Sequence, residues 1–318
     1  MSRWFKRTLL AFSGLVALAA IAGTAYQWKA TRDEVAATPP PGRLVDVGGH
    51  RLHIWCTGAG TPSVILETGL GGSAVDWGLV QPEVATFTQV CSYDRAGMGY
   101  SDPGPSPRTA RRIARELHDL IDRGGIGSPA ILAGASLGGF SVRVLASEHP
   151  ERVAGLVLVD ASHENQRHDI PRLAPFVPVL SSTGIFRLLG VSFGPPPQSL
   201  APPVRRFAEA IRFRSAGHRA AADEISHIQD SAAEVRETRR TLTMPVIVVT
   251  GGRGAVGEWQ DLQLDQVRLS TRGCQIVAEG SGHVVPLDRP DVVVEAIRAV
   301  VESARGGEAL PCERRTRS

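Results

Sequence analysis

Strong charge of either sign, metal-ligand spacing and a nucleic-acid-type surface are all missing from this chain. Its 318 residues hold 35 Lys and Arg against 32 Asp and Glu, a net charge of only +3. No stretch interleaves basic and aromatic residues, the footprint that a nucleic-acid surface leaves, so nucleic acid is not an expected partner. Cysteine is scarce as well. Cys56, Cys91, Cys274 and Cys312 fit no metal-binding spacing, and nothing implies a metal or an organic cofactor. What remains is ordinary for a folded globular chain, with 42% hydrophobic and 21% charged residues. The length suits one large α/β domain with an insertion, or two modest domains.

Long apolar runs are also few, and the one that stands out lies at the start. Arg3, Lys6 and Arg7 precede an uncharged stretch from Thr8 to Trp28 rich in Leu, Ala, Val and Ile, close to the ~20 residues that span a bilayer as a helix. Positive charge ahead of the span predicts a cytoplasmic N-terminus and an exported remainder. A cleaved signal peptide is the competing reading, with Ala20-Ile21-Ala22 or Gly23-Thr24-Ala25 as the cleavage site. The run is long for a signal-peptide core, which favours an uncleaved anchor. Residues 1–28 are therefore expected to form a cytoplasmic stub and membrane segment, and 29–42, with Pro39-Pro40-Pro41-Gly42, a linker.

Beyond the linker, short apolar strands alternate with helical patterns. Leu44–Val47 and Leu52–Trp55 flank Gly48-Gly49 as a hairpin, and Val64–Glu67 and Val90–Asp94 read as further strands. Thr109–Asp122 carries Ile113, Leu117, Leu120 and Ile121 on one helical face, closed by Gly124-Gly125. Gly155–Asp160, Val246–Val249 and Cys274–Val277 complete the strand set, and Asp291–Ser303 is a last amphipathic helix. This alternation implies a mostly parallel sheet covered on both faces. The pattern breaks between His163 and Leu242, where prolines cluster and the remainder is charged and helical. The expected layout is a core in two parts, 43–162 and 243–305, a helical insertion at 163–242 that caps it, and a polar tail at 306–318.

One run carries chemistry. In Ile131-Leu-Ala-Gly134-Ala-Ser136-Leu-Gly138-Gly-Phe140 an apolar strand breaks at Gly-x-Ser-x-Gly, and a helix-forming stretch follows. Such a strand-to-helix turn strains the serine backbone and leaves room only for small neighbours, so Ser136 reads as a nucleophile. An acyl-transfer serine needs a base, an acid to orient it and donors for the oxyanion. His283, in Glu279-Gly-Ser-Gly-His283 between the last strand and last helix, is the expected base. His163, near a strand end, is the next candidate and more plainly suits the site wall or the cap. The backbone N–H groups of Leu137 and of Leu70, in the loop Thr68-Gly-Leu-Gly-Gly72, are the expected oxyanion donors.

From Arg43 to Ser303 the chain resembles the α/β-hydrolase fold family, specifically its cap-bearing serine hydrolases. The resemblance rests on Thr68–Gly72, Asp94-Arg-Ala-Gly-Met-Gly-Tyr-Ser101, Gly134-Ala-Ser136-Leu-Gly138, Leu158-Val-Asp160 and Gly282-His283 followed by Pro290. It implies an eight-stranded, mostly parallel sheet flanked by helices and a triad in the order Ser, acid, His. It also sets Cys56 and Cys91 on adjacent strands, leaving a bridge or two buried thiols open. The chain departs from the family at the acid, because Gly254 stands where most members carry Asp after the Val246–Val249 strand. Some members place the acid one strand earlier, where this chain has Asp160; Glu258 and Asp261 are the alternatives. A serine nucleophile argues against dehalogenase and epoxide-hydrolase chemistry, which use Asp in this fold. The expected reaction is hydrolysis of a small or medium apolar carboxylic ester through an acyl-enzyme. Amide, thioester or C–C bond cleavage on the same scaffold, or an inactive ligand-binding relative, are the rivals. In the cap, Phe176, Val177, Leu180, Ile185, Phe186, Leu188, Leu189 and Phe193 would line an acyl cavity or form the cap's own core. Arg205, Arg206, Arg212 and Arg214 suit a solvated face or anionic lipid headgroups.

Overall fold

The computed structural model describes residues 2–167, 169–253, 257–306 and 309–311, so Gly254, Cys312 and most of the polar tail lie outside the described residues. Its strands are β1 (Arg43–Asp46), β2 (Arg51–Thr57), β3 (Val64–Glu67), β4 (Val90–Tyr93), β5 (Ala130–Ala135), β6 (Val153–Val159), β7 (Leu242–Gly251) and β8 (Ser270–Ala278). They form one sheet in the order β1-β2-β4-β3-β5-β6-β7-β8. Pairing is antiparallel for β1–β2 and β2–β4 and parallel from β4 through β8. The expected eight-stranded, mostly parallel α/β sheet is present.

The helices are α1 (Arg3–Ala37), α2 (Gln81–Val84), α3 (Ala110–Arg123), α4 (Gly138–Glu148), α5 (Val177–Ser182), α6 (Ile185–Leu188), α7 (Pro202–Ile211), α8 (Ser215–Ser226), α9 (Ile228–Thr238), α10 (Glu258–Val267), α11 (Val285–Asp288) and α12 (Pro290–Ala304). Side chains that alternate along the central strands feed two cores. Leu156 and Leu158 join α3 and α4 on one face, while Val157 and Val159 join α12 on the other. A strand buried on both faces reads as an unbroken apolar run, which is why β6 shows no hydrophobic–polar alternation. On α12 the expected stripe of Val293, Ile297, Val300 and Val301 is fully buried, each side chain contributing about 1.5–3 kcal/mol.

Helices α5 to α9 lie between β6 and β7, in the segment where the strand–helix alternation broke. α1 runs on through Ala37, past the Trp28 end anticipated for it. No helix breaker intervenes before Pro39, and the i,i+4 pair Lys29–Asp33 supports the extension. Among the described residues α1 is the one helix long and apolar enough to cross a membrane.

Cys56 and Cys91 face each other in the β2–β4 register and are joined as a disulfide; Cys274 is disulfide-bonded too. Opening the Cys56–Cys91 bond, which spans 35 residues, by a Cys56→Ala/Cys91→Ala double variant should cost about 3–4 kcal/mol through the freed unfolded chain. Chemical denaturation in detergent would read this as a lower midpoint. An unchanged midpoint would mean that the bond adds nothing to stability.

Candidate active site

Three loops that leave the sheet at the C-terminal edges of β5, β6 and β8 converge on one spot, the usual place for a site in a parallel sheet. Ser136 follows β5 directly and has φ 49°, a conformation that costs a non-glycine residue on the order of 1–3 kcal/mol. Two glycines permit it. A Cβ at Gly134 would come within 2.7 Å of Val142 Cγ2, and one at Gly138 within 2.5 Å of the Thr68 carbonyl oxygen. The bend is held from outside: the Ser136 N–H donates to the Val159 carbonyl at 3.1 Å, and the Ser162 N–H donates to the Ser136 carbonyl at 2.9 Å.

His283 lies in the loop after β8, its ring half-exposed. Its Nε2 is 2.9 Å from Ser136 Oγ and its Nδ1 is 2.6 Å from Asp160 Oδ2. Asp160 directly follows β6, is buried, and has φ 42°. Its second oxygen accepts from the Gly251 N–H at 3.0 Å and from Trp259 Nε1 at 3.2 Å. With both oxygens bonded, the carboxylate is locked in place. Ser136, His283 and Asp160 are thus brought together, whereas Glu258 and Asp261 are exposed on α10. The acid position after β7 falls among the residues that are not described. Trp259 was missed in the sequence reading although it sits inside the segment searched for an acid; its indole steadies the carboxylate instead.

The loop Thr68–Gly72 is built on a buried network. Arg95 is 2% exposed and donates to Glu67 Oε1 at 2.6 Å and to both Glu224 oxygens at 2.8 and 2.9 Å. Its remaining hydrogens go to the carbonyls of Thr68 at 2.6 Å and Gly69 at 2.7 Å. Asp76 accepts from Thr68 Oγ1 and the Ser73 N–H and closes the other side of the loop. The backbone N–H groups of Leu70 and Leu137 donate to no acceptor among the described residues, so both remain available at the rim of the serine.

A cleft of about 590 Å³ opens above Ser136 and His283. Val75, Met98, Leu200 and Ile211 give it apolar walls, and Phe193, Arg212 and Arg214 reach it from the β6–β7 insertion. Two of the four arginines expected on a solvated face therefore face the cleft; Arg206 is exposed and Arg205 half-buried. Of the eight apolar cap residues, only Phe193 lines the cleft. Phe176, Leu188 and Leu189 form neither a cavity nor a core and stand largely exposed. His163 also departs from expectation. It is buried, accepts from the Asn165 N–H at Nδ1, bonds Asp265 through Nε2 at 2.9 Å, and is not part of the cleft wall.

Residues 64–296 match the model of the alpha/beta hydrolase family. The chain belongs to the α/β-hydrolase family. A protein of Hormonema carpetanum named "Probable transporter efuK" is 26% identical to this α/β hydrolase over 304 residues, covering 81% of this chain and 42% of that one. The 2-hydroxymuconate semialdehyde hydrolase of Pseudomonas sp. strain CF600 is 34% identical over 128 residues, 39% of this chain and 45% of that one. The alignments thus take in less than half the length of either relative. Among solved structures, a thermophilic esterase from Thermogutta terrifontis superposes with a TM-score of 0.63 at 21% identity, covering 83% of this chain and 99% of that one. At that identity the superposition speaks for the shared fold.

The Asp160 hydrogen bond holds the His283 pKa above the ordinary imidazole value, outweighing partial burial, which works the other way. The bond therefore stabilises the fold fully below about pH 6.5, and its contribution is lost as pH rises through the raised value. NMR titration of the His283 ring should give a pKa above about 6.5. In Asp160→Asn, with burial left as the main influence, it should move below that value. A titration unaffected by the substitution would show that Asp160 does not govern the imidazole.

Proposed function

We propose that this chain is a serine hydrolase that cleaves a carboxylic ester through an acyl-enzyme. The continuous hydrogen-bond path from Ser136 Oγ through the His283 ring to Asp160, beneath a cleft, carries the reading. In this proposal neutral His283 takes the Ser136 proton at Nε2 as Oγ attacks the ester carbonyl. The oxyanion that forms is met by the Leu70 and Leu137 N–H groups, donors that need no reorganisation. His283 then passes the proton to the departing alkoxide, leaving an acyl-Ser136 and a free alcohol. Water attacks that ester under the same general base, giving the acid and restoring the hydroxyl. Asp160, bonded to Nδ1, fixes which imidazole nitrogen carries the hydrogen. Val75, Leu200 and Ile211 suit an apolar acyl chain.

We further propose that α1 anchors the chain with the catalytic part outside the cytoplasm. Arg3, Lys6 and Arg7 ahead of the span support this orientation, and the Cys56–Cys91 bond suits an oxidising compartment.

Ser136→Ala should abolish hydrolysis of p-nitrophenyl butyrate and labelling by a fluorophosphonate while leaving the circular dichroism spectrum unchanged. Turnover retained by this variant sinks the assignment. Asp160→Asn should lose on the order of 10⁴-fold in kcat, whereas Glu258→Gln should stay within about twofold, as an exposed position away from the site would. A larger loss in Glu258→Gln would move the acid to α10. Because the reaction needs neutral His283 and its pKa is raised, activity should fall on acidification through a limb above about pH 6.5.

A further inference from the structure

The exposed apolar side chains of the β6–β7 insertion sit beside α1 at one particular height. The uncharged part of α1, Thr8 to Trp28, is about 30 Å of helix at ~1.5 Å per residue, the thickness of a bilayer's hydrocarbon core. Its end is marked by Tyr26 and Trp28, both exposed, the residue types that settle at a membrane–water boundary. The insertion grips α1 across this boundary. A Cβ on Gly23 would lie 2.2 Å from the Thr183 carbonyl oxygen, so the two backbones are in close contact. Gln27 Nε2 donates to the Phe213 carbonyl at 2.6 Å, and Arg187 donates to Gln27 Oε1 and to both oxygens of Glu34. Gly23 lies about 7 Å inside the end of the apolar stretch and Glu34 about 9 Å beyond it. Thr183 is therefore held at membrane depth and Arg187 close to the surface.

The residues flanking those contacts are apolar and bare: Val179 is 64%, Leu188 82% and Leu189 67% exposed. A soluble surface rarely carries so many large apolar side chains together. The same segment leads into the cleft, since Phe193 is exposed, lines the cleft and lies over Gly71, 2.5 Å from where a Cβ there would be. Gly71 neighbours Leu70, at the rim of Ser136.

Resting on the hydrolase and anchor readings above, we propose that the face of α5, α6 and the chain up to Phe193 is immersed in the membrane interface, and that the cleft draws its ester from the bilayer. The substrate class is then a membrane-dissolved acyl ester, passed from lipid along Leu189 and Phe193 to Ser136. A water-soluble ester reaches the serine without using this face.

The test uses the full chain in phosphatidylcholine vesicles, with Leu188→Cys carrying a nitroxide and Glu302→Cys, at an exposed position of α12, as the control. Oxygen should reach the label at 188 more readily than a water-soluble nickel chelate does, with the order reversed at 302. Nickel access at 188 equal to that at 302 overturns the proposal, as does low access to both reagents, which would indicate burial against a second copy of the chain. Protein lost from the vesicles in alkaline carbonate overturns the anchor reading together with this one. A second arm compares substrates. Val179→Glu/Leu188→Glu should hydrolyse p-nitrophenyl butyrate within twofold of the parent but lose at least tenfold on a long-chain acyl ester dissolved in the vesicles. Equal retention or equal loss on the two esters overturns the route from lipid. The nitroxide measurement does not depend on catalysis, so failure of the hydrolase reading would be seen separately.

Discussion

A serine at φ 49° persists only because its surroundings leave it nowhere else to go. Val142 and Gly138 press on one side of the bend and Glu67 and Thr68 on the other, at distances where a single added carbon would collide. The end of the adjacent strand and the loop after it then fasten both ends of the residue, through Val159 and Ser162. Strain of a few kcal/mol is tolerable at this point because β5 and β6 are buried and hydrogen-bonded along their length. The sheet is rigid where the hydroxyl needs to be fixed.

Around that bend a second constraint acts through charge. Arg95 is buried with two carboxylates, and every one of its bonds ends on a group that shapes the site or ties down the insertion. Removing one partner of such a cluster is costly, on the order of 3–5 kcal/mol, because it leaves an uncompensated charge in a dry interior. Glu224 on α8 therefore couples the insertion to the loop that carries the Leu70 N–H. The two halves of the site, the Ser136 bend and the loop that faces it, share one electrostatic hub.

The insertion is fastened at its other end by α1. Arg187 and Gln27 link it to a helix whose apolar stretch matches a bilayer. The sheet core, the insertion and the apolar helix thus form one connected body, with the cleft opening between the first two. In the proposed anchoring of α1, exposed leucines that would be out of place on a soluble surface lie at the height at which that helix leaves the apolar layer.

Much of this was legible in the chain itself, because periodicity and turn chemistry are local. The strand–helix alternation, the glycines about Ser136, the apolar stripe of α12 and the uncharged run after Arg7 each follow from neighbours in sequence; the mostly parallel sheet agrees with what the alternation implied, and its eight strands with what the family resemblance implied. What stayed hidden depends on groups far apart in the chain. The Arg95–Glu224 pair crosses 129 residues, and the His163–Asp265 contact crosses 102. Trp259, the fate of His163, the turning of Arg212 and Arg214 toward the cleft, and the exposure of the cap leucines were settled by packing. A side chain's partner across two layers of structure leaves no period to read, so tertiary contact alone decided which polar groups meet and which apolar ones are left bare.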